Sequence, residues 1–337
     1  MAAGAIRGAL AMAEITMVGA IAMALARAMA DDPRVVVLGE DVGVNGGVFR
    51  ATDGLLARFG ESRVLDTPLA ETVLAGMSIG LAAQGLRPVT EFQFMGFIYP
   101  ALDQVINHAG RLRNRTRGRL SCPLVFRAPM GAGIHAPEHH SESTEALFAH
   151  IPGIRVVIPS SPARAYGLLL SAIADPDPVM FFEPTRLYRA AKEEVEDNGE
   201  RLPLDVCYIL REGTDVTLVT WGASVKETLA AAGTLEAEGV SAEVIDLATI
   251  SPLDFDTILA SVEKTGRLVI VHEAPLNCGV GAEIAARVAE RGLLSLQAPV
   301  ERVTAPDVVV PLLRLEKAYM PGETDIVEAA RRVVNFQ

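Results

Sequence analysis

Three stretches of the chain gather side chains able to move protons. In VLDTPLAETVLAGMSIGLAAQG, residues 64–85, one carboxylate, Glu71, heads a run that carries no charge from 72 to 84. Pro68 with an acidic residue close behind it is a helix-start signature. Most residues that follow are small (Ala75, Gly76, Ser78, Gly80, Ala82, Ala83), so this helix can be buried all round and approached closely by another backbone. A first-turn carboxylate needs no more than the helix dipole to explain it, worth about 0.3–1 kcal/mol. The sharper reading is a functional carboxylate.

The second stretch, GEDVGVNGGVFRATDGL, sets Glu40 and Asp41 after an apolar run and before a glycine-rich loop. Ligands of open α/β sheets collect at such strand ends. It is no phosphate loop, for neither GxGxxG nor GxxxxGK[ST] occurs, and two carboxylates repel phosphate. The third, RAPMGAGIHAPEHHSES, holds His135, His139 and His140, half of the chain's six histidines. His135 and His139 are four apart, but they stand in a glycine-containing loop rather than on a helix and have no cysteine near them, which favours an imidazole acting on substrate over a metal ligand. A fourth stretch, SAIADPDPVMFFEP, alternates Asp175 and Asp177 with prolines at a helix end; it reads as a rigid turn or as a hard-cation site of carbonyls and a carboxylate.

The elements that must position these groups follow an α/β pattern. Continuous apolar runs at 35–38, 88–92, 123–127, 155–158 and 179–182 read as buried parallel strands, with helices between them, for instance over 100–115 and 163–174. KEEVEDNGERLPLD, residues 192–205, is charged and turn-rich and reads as a linker. Beyond it the alternation resumes with DVTLVTWG, AEVIDL and RLVIVHEA. The expected organisation is a domain over 1–190, a linker over 191–206 and a domain over 207–337, both α/β with mostly parallel sheets. Arg7 before small apolar residues sketches a signal peptide, but Glu14 interrupts it, and 15–30 reads better as a helix stopped at Asp31-Asp32-Pro33. No apolar run approaches the ~20 residues of a membrane span. Three scattered cysteines (Cys122, Cys207, Cys278) suit a reducing compartment, and a net charge of −12 without a basic cluster argues against nucleic acid.

The ordered set GEDVG, GGVF, DTPLAE, GLRPVTEFQF, DQVIN, PLVFR, HHS, HIPGIRVVIPSSP, DPDPV, EVIDL, SVEKTGRLVIVHEA, GAEIAARV and RVTAPD closely resembles the beta subunit of the decarboxylating component of 2-oxo acid dehydrogenase complexes. That group includes the pyruvate, branched-chain and acetoin enzymes, and the likeness runs from about residue 15 to the C-terminus. It implies a thiamin diphosphate pyrimidine-binding domain joined to a transketolase-type C-terminal domain. It implies an α2β2 heterotetramer with the cofactor between alpha and beta. No GDG motif for the magnesium-bound diphosphate occurs in the chain, so Mg2+ and diphosphate fall to the alpha subunit. Carried over position by position, Glu71 is the glutamate that shares a proton with the aminopyrimidine, Phe97 packs against that ring and Gln93 lines the pocket. His140 stands at the substrate channel, with His139 as a second candidate. Leu124, Ala172, Ile173, Asp175 and Asp177 correspond to a potassium site, though the DPDP order departs from forms with asparagine there. Glu283 and the terminal carboxylate of Gln337 are candidate contacts for the lipoyl acyltransferase core. The implied setting is bacterial or archaeal cytoplasm, with no membrane partner. A transketolase or deoxyxylulose phosphate synthase half fits less well with the DTPLAE and HHS pattern, and retention of Glu71 and His140 argues against a non-catalytic subunit that merely completes an oligomer.

Overall fold

A computed structural model describes residues 12–337; the stretch around Arg7 lies outside them. The chain opens with β1 (Met12–Thr16) and α1 (Met17–Asp31), whose first turn Thr16 caps by accepting the Gly19 amide. There follow β2 (Val35–Gly39), α2 (Leu55–Phe59), β3 (Val64–Asp66), α3 (Glu71–Ala83), β4 (Arg87–Glu91), α4 (Leu112–Arg115), β5 (Val125–Met130) and α5 (Glu145–Ala149). Then come β6 (Arg155–Val157), α6 (Pro162–Ala174), β7 (Val179–Pro184) and β8 (Lys192–Glu196). The second half runs β9 (Tyr208–Arg211), β10 (Val216–Thr220), α7 (Ser224–Ala237), β11 (Ala242–Asp246), β12 (Thr249–Ser251), α8 (Phe255–Thr265) and β13 (Leu268–Pro275). It closes with α9 (Val280–Arg291), β14 (Glu301–Ala305), α10 (Leu313–Tyr319) and α11 (Glu323–Val334).

Two large sheets result. The first large sheet has the order β12-β6-β7-β5-β4-β2-β3 and is parallel except for β12; the second has the order β14-β13-β10-β11-β9 and is parallel except for β9. Strands β2, β5, β7, β10 and β11 are buried along their whole length, which is why apolar residues fill both faces of each, broken only by single polar or charged side chains such as Arg127, Glu183 and Asp246. One cluster of buried side chains, with Phe126 and Phe182 from the first sheet and Trp221, Ile245 and Ile270 from the second half, runs through both layers.

The structure departs from the sequence reading at three places. KEEVE, read as the start of a linker, is strand β8, paired antiparallel with β1 in a separate ribbon, with Val195 as its buried residue. The single helix expected over 100–115 is broken into a tight turn at Tyr99–Ala101, a widened π-helical turn at Gln104–Ala109 and α4. Its break falls at Gly110, whose carbonyl lies so near Gly153 that a Cβ there would sit 2.1 Å away. Helix α3 does not bury all round within this chain: Leu74, Ala75, Ser78 and Ala82 face inwards, while Val73 is 63% exposed.

Candidate active site

The carboxyl ends of β2, β3 and β5 lead into three of the sequence-nominated stretches at one end of the first sheet, and β4 adds the segment from Gln93 to Phe97. Glu40 directly follows β2 and is only 7% exposed, with Oε1 buried and without a partner. Burial, and next the charge of Glu71, hold the Glu40 carboxyl above its ordinary pKa, while the Ala70 amide pulls the other way. Glu71, the first residue of α3, is half-buried within this chain rather than buried as expected, and the buried acid beside it is Glu40. The end of a buried strand pointed to Glu40; its pairing with Glu71 is a long-range fact that the sequence did not carry.

Asp66, at the end of β3, locks the glycine-rich loop by accepting the amides of Gly43 at 2.6 Å and Val44 at 3.1 Å. Asp41 takes left-handed backbone, φ 58°, and its Oδ2 accepts Gln93 Nε2 at 3.3 Å, which joins this loop to the end of β4. The segment after Gln93 is an aromatic shelf. Phe94 and Phe97 meet edge-to-face at 5.7 Å, and the His140 ring stands against both, 4.2 Å from Phe94 and 5.2 Å from Phe97. His139 stacks obliquely on His140 at 4.2 Å. His140 Nδ1 is buried without a partner; burial, and next the neighbouring His139, lower its pKa below the usual histidine value. Thr72 Oγ1 donates to Pro100 O at 2.7 Å and so ties the head of α3 to the same shelf. His135 is held apart from this pair, its Nδ1 2.7 Å from Glu316 Oε2.

Directly beneath lies a second charged group. Arg127 donates to Glu183 through Nε (2.7 Å) and Nη2 (2.9 Å) and to Glu91 through Nη1 (2.8 Å), and the Tyr188 hydroxyl donates to Glu183 at 2.5 Å. None of the four is more than 4% exposed.

The remaining nominated residues lie elsewhere. Arg87 Nη1 donates to the carbonyls of Ile173 (2.7 Å) and Asp175 (3.1 Å), Leu124 O accepts the Val179 amide, and Ala172 O accepts the Asp175 amide. The side chains of Asp175 and Asp177 pair with Arg155 and Arg113. A guanidinium thus already stands on two of the carbonyls assigned to potassium. Glu283 is exposed and pairs with Arg287 one turn on; Gln337 borders a surface hollow with Glu301, Arg331 and Arg332. Among the described residues, no group of three or more His, Cys, Asp or Glu side chains is placed to hold a metal ion, and no helix is long and apolar enough to cross a membrane. The cysteines are unpaired.

An acid pair beside an aromatic shelf, with orphaned polar atoms on both Glu40 and His140, fits the aminopyrimidine end of thiamin diphosphate and offers nothing that would cradle its diphosphate. Paired parallel-rich sheets with this edge are the architecture of the transketolase class, and the matches bear that out: residues 13–191 match the transketolase pyrimidine binding domain and residues 206–326 the transketolase C-terminal domain. A split-gene transketolase, described as an inactive beta4 tetramer, superposes with a TM-score of 0.79 at 24% identity, over 96% of this chain and 99% of that one, a likeness of fold. Pyruvate dehydrogenase E1 component subunit beta of Bacillus subtilis is 51% identical over 325 residues, 96% of this chain and all of the relative. Those of Staphylococcus epidermidis and Staphylococcus aureus are 48% and 46% identical over the same span. The chain belongs to the family of pyruvate dehydrogenase E1 beta subunits, transketolase-like proteins of thiamin diphosphate-dependent enzymes.

Proposed function

We propose that this chain supplies the aminopyrimidine half of a thiamin diphosphate site and works with an alpha subunit, in an α2β2 assembly, to decarboxylate pyruvate and pass the acetyl group to a lipoyl acyltransferase in the cytoplasm. The observation that carries the reading is Glu71 beside the buried Glu40, whose Oε1 has no partner, with the head of α3 tied through Thr72 to Pro100 beside the Phe94–Phe97 shelf. When bound, thiamin diphosphate supplies an acidic carbon that adds to the 2-oxo group and accepts the electrons left when carbon dioxide departs.

The residues of this chain do the rest of the local work. Glu71 offers its carboxyl to the ring nitrogen of the aminopyrimidine, and Glu40, poised towards its protonated form by burial and next by the charge of Glu71, stands beside it. Phe97 gives the ring an apolar face to pack on, and Gln93, fixed by Asp41, borders it. His140, shifted towards its neutral form, offers an imidazole to orient the 2-oxo acid or to assist acyl transfer to the lipoyl group. Mg2+ and the diphosphate belong to the alpha subunit. A potassium ion on the DPDP turn would share the Ile173 and Asp175 carbonyls with Arg87. The acyltransferase docks on the acidic second half with Glu283 among its contacts; Gln337 is a weaker choice for a basic partner because Arg331 and Arg332 stand beside it.

Calorimetry with thiamin diphosphate and Mg2+ tests the shared site. The full chain alone should show no tight binding and no pyruvate decarboxylation, and both should appear when the alpha subunit is co-expressed. Micromolar binding to the chain alone would overturn the half-site.

A further inference from the structure

The loop that carries His139 and His140 springs from β5 and ends at α5, and its neck has an unusual backbone. Gly131 (φ 92°), Gly133 (φ 95°) and His135 (φ 61°) all take left-handed conformations. Such alternation turns successive amides to one side and makes an anion-binding concavity. Here that concavity is filled from the other half of the molecule. Ala132 N–H donates to Glu273 Oε1 at 2.5 Å, and Gly133 N–H donates to Glu316 Oε1 at 2.7 Å. His135 N–H donates to Glu316 Oε2 at 3.2 Å, and its Nδ1 stands 2.7 Å from the same oxygen. At the far end of the loop Ser143 Oγ donates to Glu273 Oε1 at 3.3 Å, and the Gly131 amide closes the neck on Glu142 O at 3.0 Å.

Glu273 lies on β13 and Glu316 on α10, and they are 8% and 2% exposed. The fit leaves no slack: a Cβ on Gly131 would meet Glu273 Oε1 at 2.7 Å, and one on Gly133 would meet Arg186 at 2.9 Å. The rest of the loop is tied by its own turn at Glu138–His140, by the Tyr99–Glu142 hydrogen bond and by ring contacts of the two histidines with Phe94 and Phe97.

Building on the reading of His140 given above, we propose that Glu273 and Glu316 are positioning residues: a two-carboxylate clamp by which the second half of the chain fixes the histidine loop and so sets where His140 stands. Carboxylates that accept backbone amides form charge-assisted hydrogen bonds, roughly twice as strong as neutral ones. An imidazole acting on a substrate needs its place held to about 0.5 Å. The second half therefore acts on the reaction without touching substrate.

The test uses Glu316→Gln and Glu273→Gln in the full chain, each also assembled with the alpha subunit. Hydrogen exchange over residues 131–144 should quicken about tenfold or more in the variants, as expected for a lost charge-assisted bond, with β5 and β13 unchanged. In the assembled enzyme kcat for acetyl transfer to a free lipoyl domain should fall about tenfold, with KM for pyruvate and the affinity for thiamin diphosphate unchanged. A general loss of structure would move all of these together and count against the clamp. Unchanged exchange in both variants overturns the proposal. So does faster exchange with kcat intact in an enzyme that His140→Ala slows. If His140→Ala itself leaves transfer intact, the reading of His140 falls, and the positioning role falls with it. Should Glu273→Gln fail to assemble, Glu316→Gln decides.

Discussion

Two groups of charged side chains meet at the carboxyl ends of the same parallel strands, and they are built in opposite ways. Around Arg127, both carboxylates and the tyrosine hydroxyl are engaged, and the group is sealed from water. Around Glu71, an oxygen of Glu40 and a nitrogen of His140 are buried with nothing to bond, and the edge is open. An unsatisfied buried polar atom costs roughly 1–3 kcal/mol, so a fold keeps one where something else is to occupy it. Two pairs of glutamates are thus treated differently: Glu91 and Glu183 are engaged by Arg127 within the sheet, and Glu40 and Glu71 are the pair that the proposed function leaves for the ligand.

The sharpest way to break that contrast is to mutate both groups and read both stability and rate. Arg127→Met leaves two carboxylates buried without their cation and should destabilise the chain by about 3–5 kcal/mol in urea unfolding. A small loss would mean that the Arg127 group is not the structural member of the pair. Glu71→Gln keeps size and loses the shareable proton. Exchange of the cofactor's acidic proton in the assembled enzyme should slow by about 10²–10⁴, while the urea midpoint of the chain barely moves. Exchange at the wild-type rate would return Glu71 to being a helix-end charge.

A smaller effect concerns pH. Burial raises the Glu145 carboxyl to about 7 from 4.5, with the Trp221 indole N–H donating to it. Because the folded value is the higher one, its stabilising contribution is complete below about 4.5 and is lost as pH rises through about 7. Stability of the wild-type chain should therefore decline between pH 5 and 8 relative to Glu145→Gln, and parallel profiles would show that this carboxyl does not titrate there. The smallest effect is expected from potassium. With Arg87 already on two carbonyls of the DPDP turn, exchanging potassium for sodium should shift the unfolding midpoint far less than the ~2.7 kcal/mol of a site saturated at a hundredfold excess. A full-sized shift would show that the turn depends on the ion.

What could be read from the sequence was what local pattern encodes. Strands such as 35–38 and 179–182 declare themselves because both faces are buried, and Glu71 declares itself as a lone charge on an apolar helix. The three histidines of residues 135–140 declare themselves as a cluster in one loop, and the resemblance named Phe97 and Gln93 but not Phe94, whose ring also meets His140. What escaped was set by partners far along the chain. Lys192–Glu196 is polar enough for a linker and becomes a strand because β1 is there to pair with it. The run over 100–115 has helical composition but must pass the close Gly110–Gly153 crossing. Glu273 and Glu316 look like ordinary acids until the left-handed neck of a distant loop brings its amides to them.

Strand β12 shows how far such distance reaches. It comes from the second half of the chain, between β11 and α8, yet it completes the first sheet by covering the edge of β6. During synthesis the first sheet emerges with that edge bare, and it stays bare until residues 249–251 have left the ribosome. An uncovered edge strand is a template for pairing with other chains. The nascent first half is thus exposed to misassembly for as long as it takes to make the segment between Val157 and Thr249, and its quality control must be a matter of timing as well as of sequence.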